Sequence, residues 1–274
     1  GAVLKIKPGL GAAASLLVEQ GNDALRAGQL LDAVVKDDPR HVPALRTLES
    51  LARENNDLPA LAQSLSRQGD ALHDVRARLG ALWALATLEE WKLPAADPGP
   101  TYARILELDG SDPGALEATL RRDMPHARRG DPRARKNVLA ALRALVGIAS
   151  DDETRLAQQL RLAISLESAA ASDPEAGPSL MREAYDRYRE ALSIDRLSVT
   201  AATGLARLAA RLRETEGALA AALSLADIAA QPAVRARYLL EAAEILLGAT
   251  DERLGPTSDR RTRAGALLQR AVEA

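Results

Sequence analysis

The sequence predicts an all-α protein, an α-solenoid of about seven antiparallel helical hairpins, on three observations. The apolar content, 47% of 274 residues, is almost entirely Ala, Leu and Val, with aromatics at 2% and no Phe. Ala and Leu are strong helix formers, whereas a sheet protein would draw more on Ile, Thr, Tyr and Phe. Apolar residues recur at helical spacing in successive windows, and short polar or Pro-bearing stretches separate the windows. Small and Leu positions then repeat at a fixed distance. Leu45, Leu48 and Ala52 stand 34 residues before Leu79, Leu82 and Ala86, and Ala202, Leu205 and Ala209 stand 34 before Ala236, Leu239 and Ala243. A hairpin of two such helices cannot bury both apolar stripes alone and needs neighbours of its own kind.

Taken in order, residues 1–10 read as an irregular lead-in and Ala12–Gln20 as a short helix. Asp23–Lys36 is its expected partner, with Leu25, Leu30, Leu31, Val34 and Val35 on one side. Asp37-Asp38-Pro39 stops it, because proline lacks the next backbone donor and disfavours helix in the residue before it. His41–Glu54 and Leu58–Gln68 form the next hairpin around Asn55-Asn56-Asp57. Val75–Trp91 is a long helix, 94–100 a Pro-rich loop and Thr101–Leu108 the returning helix. Asp109–Pro113 is read as a second stop. Gly114–Arg122 starts a helix, 124–131 is read as a break around Pro125 and Gly130, and Arg133–Ile148 follows. Asp151, Asp152 and Glu153 mark an acidic helix start running to about Ala170. After a loop at 172–179 come Leu180–Ile194, Val199–Arg213, Gly217–Ala229 and Ala233–Leu247. A loop at 248–259 precedes Arg260–Glu273.

A 34-residue helix–turn–helix period with small and Leu residues in fixed slots resembles the tetratricopeptide repeat (TPR). Ala27 falls in the family's small-residue slot of the second helix, and Pro39 in its terminal Pro slot. The register holds over 21–90 and 198–247, and loops interrupt it between. The resemblance implies a right-handed superhelix, regular over 11–93 and 180–274 and irregular over 94–179, with the array expected to continue past Ala274. It also implies that the first helix of each hairpin lines a concave face. The groove slots then fall on Arg46, Ser50 and Arg53, and on Arg207, Arg211, Arg237 and Glu241. Guanidinium groups there would favour an acidic or carboxylate-bearing segment.

The remaining features narrow the function. Net charge is −2, so no global field favours nucleic acid or acidic membrane surfaces. Cysteine is absent, which removes disulfides and thiolate metal sites. No apolar run approaches the roughly 20 residues of a membrane span, and no signal peptide is visible. The expected location is the cytoplasm of a bacterium, given the excess of Arg over Lys; because Gly1 is not an initiator Met, a trimmed start keeps the periplasm open. Gly9-Leu10-Gly11-Ala12-Ala13-Ala14 fits a dinucleotide-binding spacing but has no parallel strands around it, so it reads as lead-in. His41, His73 and His126 have no helical ligand spacing and are read as surface or turn residues. No nucleophile elbow or phosphate loop occurs. The most basic stretch is Arg121, Arg122, Arg128, Arg129, Arg133, Arg135 and Lys136; it lacks the interleaved aromatics that stack bases. Trp83 and Trp91 lie eight apart on one helix, and packing is the default reading for both, with an exposed Trp91 a partner anchor. These features give a non-enzymatic protein-interaction scaffold with no cofactor or metal. The expected partner is a protein presenting an acidic segment, or a second copy of the chain. A structural subunit of a homo- or hetero-oligomer and a regulatory domain of a larger enzyme system are the alternatives.

Overall fold

The computed structural model describes residues 24–249 and 254–274, which form thirteen helices and no strand. The lead-in, the glycine-rich motif, the short helix at 12–20 and the side chain of Leu25 lie outside the described residues. Two compact units divide the chain, 1–119 and 120–274, with the boundary inside the sixth helix. The helices are α1 (Ala24–Asp37), α2 (Val42–Glu54), α3 (Leu58–Ala71), α4 (Val75–Trp91), α5 (Gly99–Leu108), α6 (Pro113–Arg128) and α7 (Pro132–Ile148). They continue with α8 (Asp152–Ser172), α9 (Gly177–Ile194), α10 (Val199–Leu212), α11 (Thr215–Ile228), α12 (Pro232–Gly248) and α13 (Thr257–Glu273). Every extensive helix–helix packing among the described residues joins helices adjacent in sequence.

Local chemistry explains the helix starts. Asp57, Asp74, Asp112, Asp131, Asp151 and Ser198 each accept a backbone N–H of the first turn. His41 does the same through Nδ1 to the Ala44 N–H. A side-chain acceptor there satisfies one of the donors that a helix N-terminus leaves unpaired. Proline is mainly a starter in this chain. It occupies the first turn of α2, α3, α5, α6, α7, α9 and α12, where its missing N–H costs nothing.

One exception corrects the expectation from sequence. The helix beginning at Pro113 does not break at Met124 but runs through Pro125 to Arg128. A mid-helix proline forfeits one backbone hydrogen bond. Here buried Leu116 and Leu120 hold the preceding turns in place. Asn137 of α7 also donates to the buried Asp123 carboxylate at 2.7 Å. The true break is the turn at 129–131, where Gly130 takes a left-handed φ of 96°.

In the first unit α1–α2 close over Ala27, Leu31, Val34, Val35 and Leu45. Ala52, Leu61, Leu65, Leu85 and Leu88 continue the core through α2–α4. Leu82, Ala86, Tyr102, Ile105 and Ala115 then join α4, α5 and the start of α6. In the second unit Leu219, Ala222, Leu239, Ala243, Leu246 and Leu267 form a core between α11, α12 and α13. Most of the repeating slots are core slots: Leu45, Ala52, Leu82, Ala86, Ala202, Leu205, Ala209, Leu239 and Ala243 are buried, and Leu48, Leu79 and Ala236 are half-buried.

Aromatic rings sit where the opposing helix offers glycine. A Cβ at Gly204 would lie 2.5 Å from the ring of Tyr188, itself 1% exposed, and one at Gly217 would lie 2.5 Å from the Tyr185 hydroxyl. Gly204→Ala should therefore lose about 1–3 kcal/mol to overpacking, which outweighs the roughly 1 kcal/mol that alanine gains by helix propensity. Gly80, with nothing within 4 Å of its Cβ position, should show the opposite sign: Gly80→Ala gains up to about 1 kcal/mol. Urea midpoints of the two variants check both signs.

Candidate functional site

The residues expected to line a groove are exposed, but several are already committed inside the chain. On α2, Arg46, Ser50 and Arg53 face solvent. Arg53 pairs with Glu49 one turn back at 2.7 Å, and the other Glu49 oxygen accepts Gln68 Nε2 from α3. On α10, Arg207 grips Glu167 of α8 through two bonds, Nε at 3.0 Å and Nη2 at 2.6 Å. The Tyr188 hydroxyl donates to the same carboxylate at 2.8 Å. Arg211, Arg237 and Glu241 are exposed, with the Arg237 guanidinium over the Tyr238 ring. The α2 set and the α10–α12 set belong to different units.

The Arg207–Glu167 pair is one of a series. Among the described residues, six ion pairs each join a helix or its cap to the helix two places away: Arg67–Asp32, Arg104–Asp70, Arg143–Glu183, Arg182–Glu214, Arg207–Glu167 and Arg270–Asp227. Glu214 belongs to this series as the N-cap residue of α11. Partly exposed pairs are individually worth about 0–1 kcal/mol. Their geometric effect is to fix which helix faces which.

The basic stretch is not a uniform cationic surface. Arg121, Arg122, Arg128 and Arg129 lie on α6, and Arg133, Arg135 and Lys136 on the first turns of α7. The buried Asp123 carboxylate stands among them, 3.4 Å from Arg122 Nε. Asp131 separates the two groups and caps α7. The histidines are dispersed: His41 caps α2, His73 is exposed in a turn and His126 is exposed near the end of α6. Among the described residues no group of three His, Cys, Asp or Glu side chains could hold a metal ion, and no helix is long and apolar enough to cross a membrane.

The two tryptophans differ. Trp83 packs edge-on against Tyr102 and donates Nε1 to Asp112 at 3.2 Å. Trp91, the last residue of α4, is 73% exposed. Eight residues leave the two about 80° apart around the helix.

Sequence reasoning missed a cleft of about 460 Å³ in the second unit. Its floor is Leu192, Leu205, Leu219, Leu223 and Leu254, with Ser193, Ala220 and Ser224. Around it stand Arg189 on α9, Arg196 in the α9–α10 turn, Arg263 on α13 and Glu216 on α11. The helices α9, α11 and α13 are the second members of their hairpins, so assigning the groove to first helices passed them over. Leu254 lies in a stretch read as plain loop. Arg189 is loosely matched by Asp186 at 3.7 Å and stacks over Tyr185. Arg263 donates to the Leu254 carbonyl. Arg196 has no hydrogen-bond or ionic partner among the described residues.

No family model matches the chain, and no curated protein matches it.

The Tyr188 environment gives a pH signature. Burial, and then its bond to Glu167, push the phenol well above its ordinary range; burial also raises Tyr185. A phenol that keeps its proton in the fold contributes stability that is complete below the ordinary pKa of about 10 and is lost as pH rises beyond it. Tyr188→Phe should flatten the fall in unfolding free energy between about pH 10 and 12, and cost about 1 kcal/mol at neutral pH through the lost hydrogen bond. Urea titrations across that range test it; an unchanged slope would contradict it.

Proposed function

We propose that this chain is a non-enzymatic, TPR-like helical-repeat scaffold that holds a segment of another protein against its helices. The second-unit cleft carries this reading: an aliphatic floor beneath several guanidinium groups, at a size typical of ligand recesses. The packing supports it too: within each unit the extensive packing joins helices adjacent in sequence, as in repeat proteins that serve as platforms. Exposed Trp91 adds an aromatic of the kind that anchors interfaces.

A second reading is self-assembly. Leu240 and Leu247 on α12 and Leu268 and Val272 on α13 are exposed aliphatic residues on consecutive helices, and covering such surface would favour association.

A photo-crosslinking residue placed in turn at Ser193, Arg211 and Trp91 separates these readings in extracts of the native cell. The scaffold reading expects a discrete heterologous protein adduct from at least one position, identified by mass spectrometry. Adducts of the chain with itself alone would favour assembly. Absence of any protein adduct from all three positions would count against both.

A further inference from the structure

The cleft has a charge and shape that define its occupant more narrowly. We infer that it is the docking site for an acidic peptide segment carrying an aliphatic side chain, an assignment that rests on the scaffold reading above.

Charge complementarity comes first. Among the described residues, three guanidiniums stand against one carboxylate, Glu216, around the recess. Asp186 partly answers Arg189. Arg196 and Arg263 pair with no carboxylate among the described residues. The three arginines come from different elements: the body of α9, the turn after it, and α13. A single carboxylate cannot serve donors spread in this way. A chain with carboxylates at intervals can, through charge-assisted bonds.

The floor sets the apolar part. Leu192, Leu205, Leu219 and Leu254 are each nearly fully buried by their own packing, so the apolar area left at the base is small. It suits one or two aliphatic side chains; a long acyl chain would leave most of its length uncovered. Leu197, the residue after Arg196, and Val199, the first residue of α10, are 61% and 54% exposed. Aliphatic surface thus continues outward along the turn, as an extended segment requires. Ser224 lines the recess at 3% exposure, and its hydroxyl bonds to no described residue, which leaves a polar group for a peptide backbone. Nucleic acid fits poorly. None of the described lining residues is aromatic, so no base has a ring to stack on.

The probe is a fluorescein-labelled peptide, acetyl-Glu-Leu-Asp-Glu-Leu-Glu-amide, titrated with the full chain and followed by anisotropy. Its comparators replace every acid by Lys, or every Leu by Ser; oligo-dT and laurate compete in separate arms. The inference expects saturable binding of the acidic-aliphatic peptide, weakened at least about tenfold by Arg196→Glu and unaffected by Glu153→Lys on α8. Binding should also weaken with salt. Arg196 sits in an exposed turn, so circular dichroism of that variant should match the parent. Ser193→Trp, which plugs the recess without changing charge, should abolish binding independently. Equal binding of the lysine or serine peptide, displacement by oligo-dT or laurate in preference to unlabelled peptide, or indifference to both variants would overturn the inference. If Ser193 cross-links a protein while the peptide fails to bind, the scaffold reading stands and this assignment falls. Failure of the peptide together with the absence of cross-links at all three positions removes both.

Discussion

How closely two helices can approach is the constraint from which the rest of this structure follows. With almost no aromatic bulk, the chain builds its interior from leucine set against alanine and glycine. Ala86, Ala163, Ala184, Ala201, Ala202, Ala242 and Ala243 are all closed to solvent. Small residues let helix axes draw together, and leucine fills the remaining volume at interior density. The few large rings are placed where an opposing helix has no side chain, as Tyr188 is against Gly204 and Tyr185 against Gly217. These two contacts seat α9 on α10 and α11. The seating sets where the end of α9, with Arg189 and Leu192, and the following turn, with Arg196, meet α11, so the cleft is a result of helix-packing geometry.

Much of the fold was legible in the sequence because its causes are local. Apolar spacing, acidic caps and prolines act within one or two turns, and the helices they mark occur close to where they were read. Pro125 shows where local reading stops. A proline is a strong break signal, yet Leu116, Leu120 and the Asp123–Asn137 bond preserve the helix through contacts that no neighbouring residue announces. The candidate site was less legible for the same reason. Arg207 occupies a position that a slot assignment gives to a ligand, but its partner Glu167 lies forty residues earlier in the chain. Nothing in a window around Arg207 reveals that pairing. The cleft is drawn from four helices, a turn and a loop, with its apolar members separated by up to 62 positions (192 to 254).

In a chain this rich in arginine, composition alone cannot distinguish a binding residue from a structural one. Geometry does so by showing what each guanidinium already holds. Those of Arg104, Arg143, Arg182 and Arg207 are bound to carboxylates on other helices or their caps. They are poor candidates for recognising anything outside the molecule, since a ligand would have to displace an existing partner. Arg196 carries no such commitment.

The pairs that skip one helix also bear on how each unit comes apart. Packing between sequence neighbours alone would let a terminal helix peel away and the next follow, with protection against hydrogen exchange fading gradually toward the ends. A pair such as Arg143–Glu183 or Arg207–Glu167 ties a helix to one beyond its neighbour. Loosening the helix between them strains contacts on both sides at once. Opening in the α7–α11 region therefore involves several helices together, and the smallest piece that unfolds there is larger than the hairpin from which it is built.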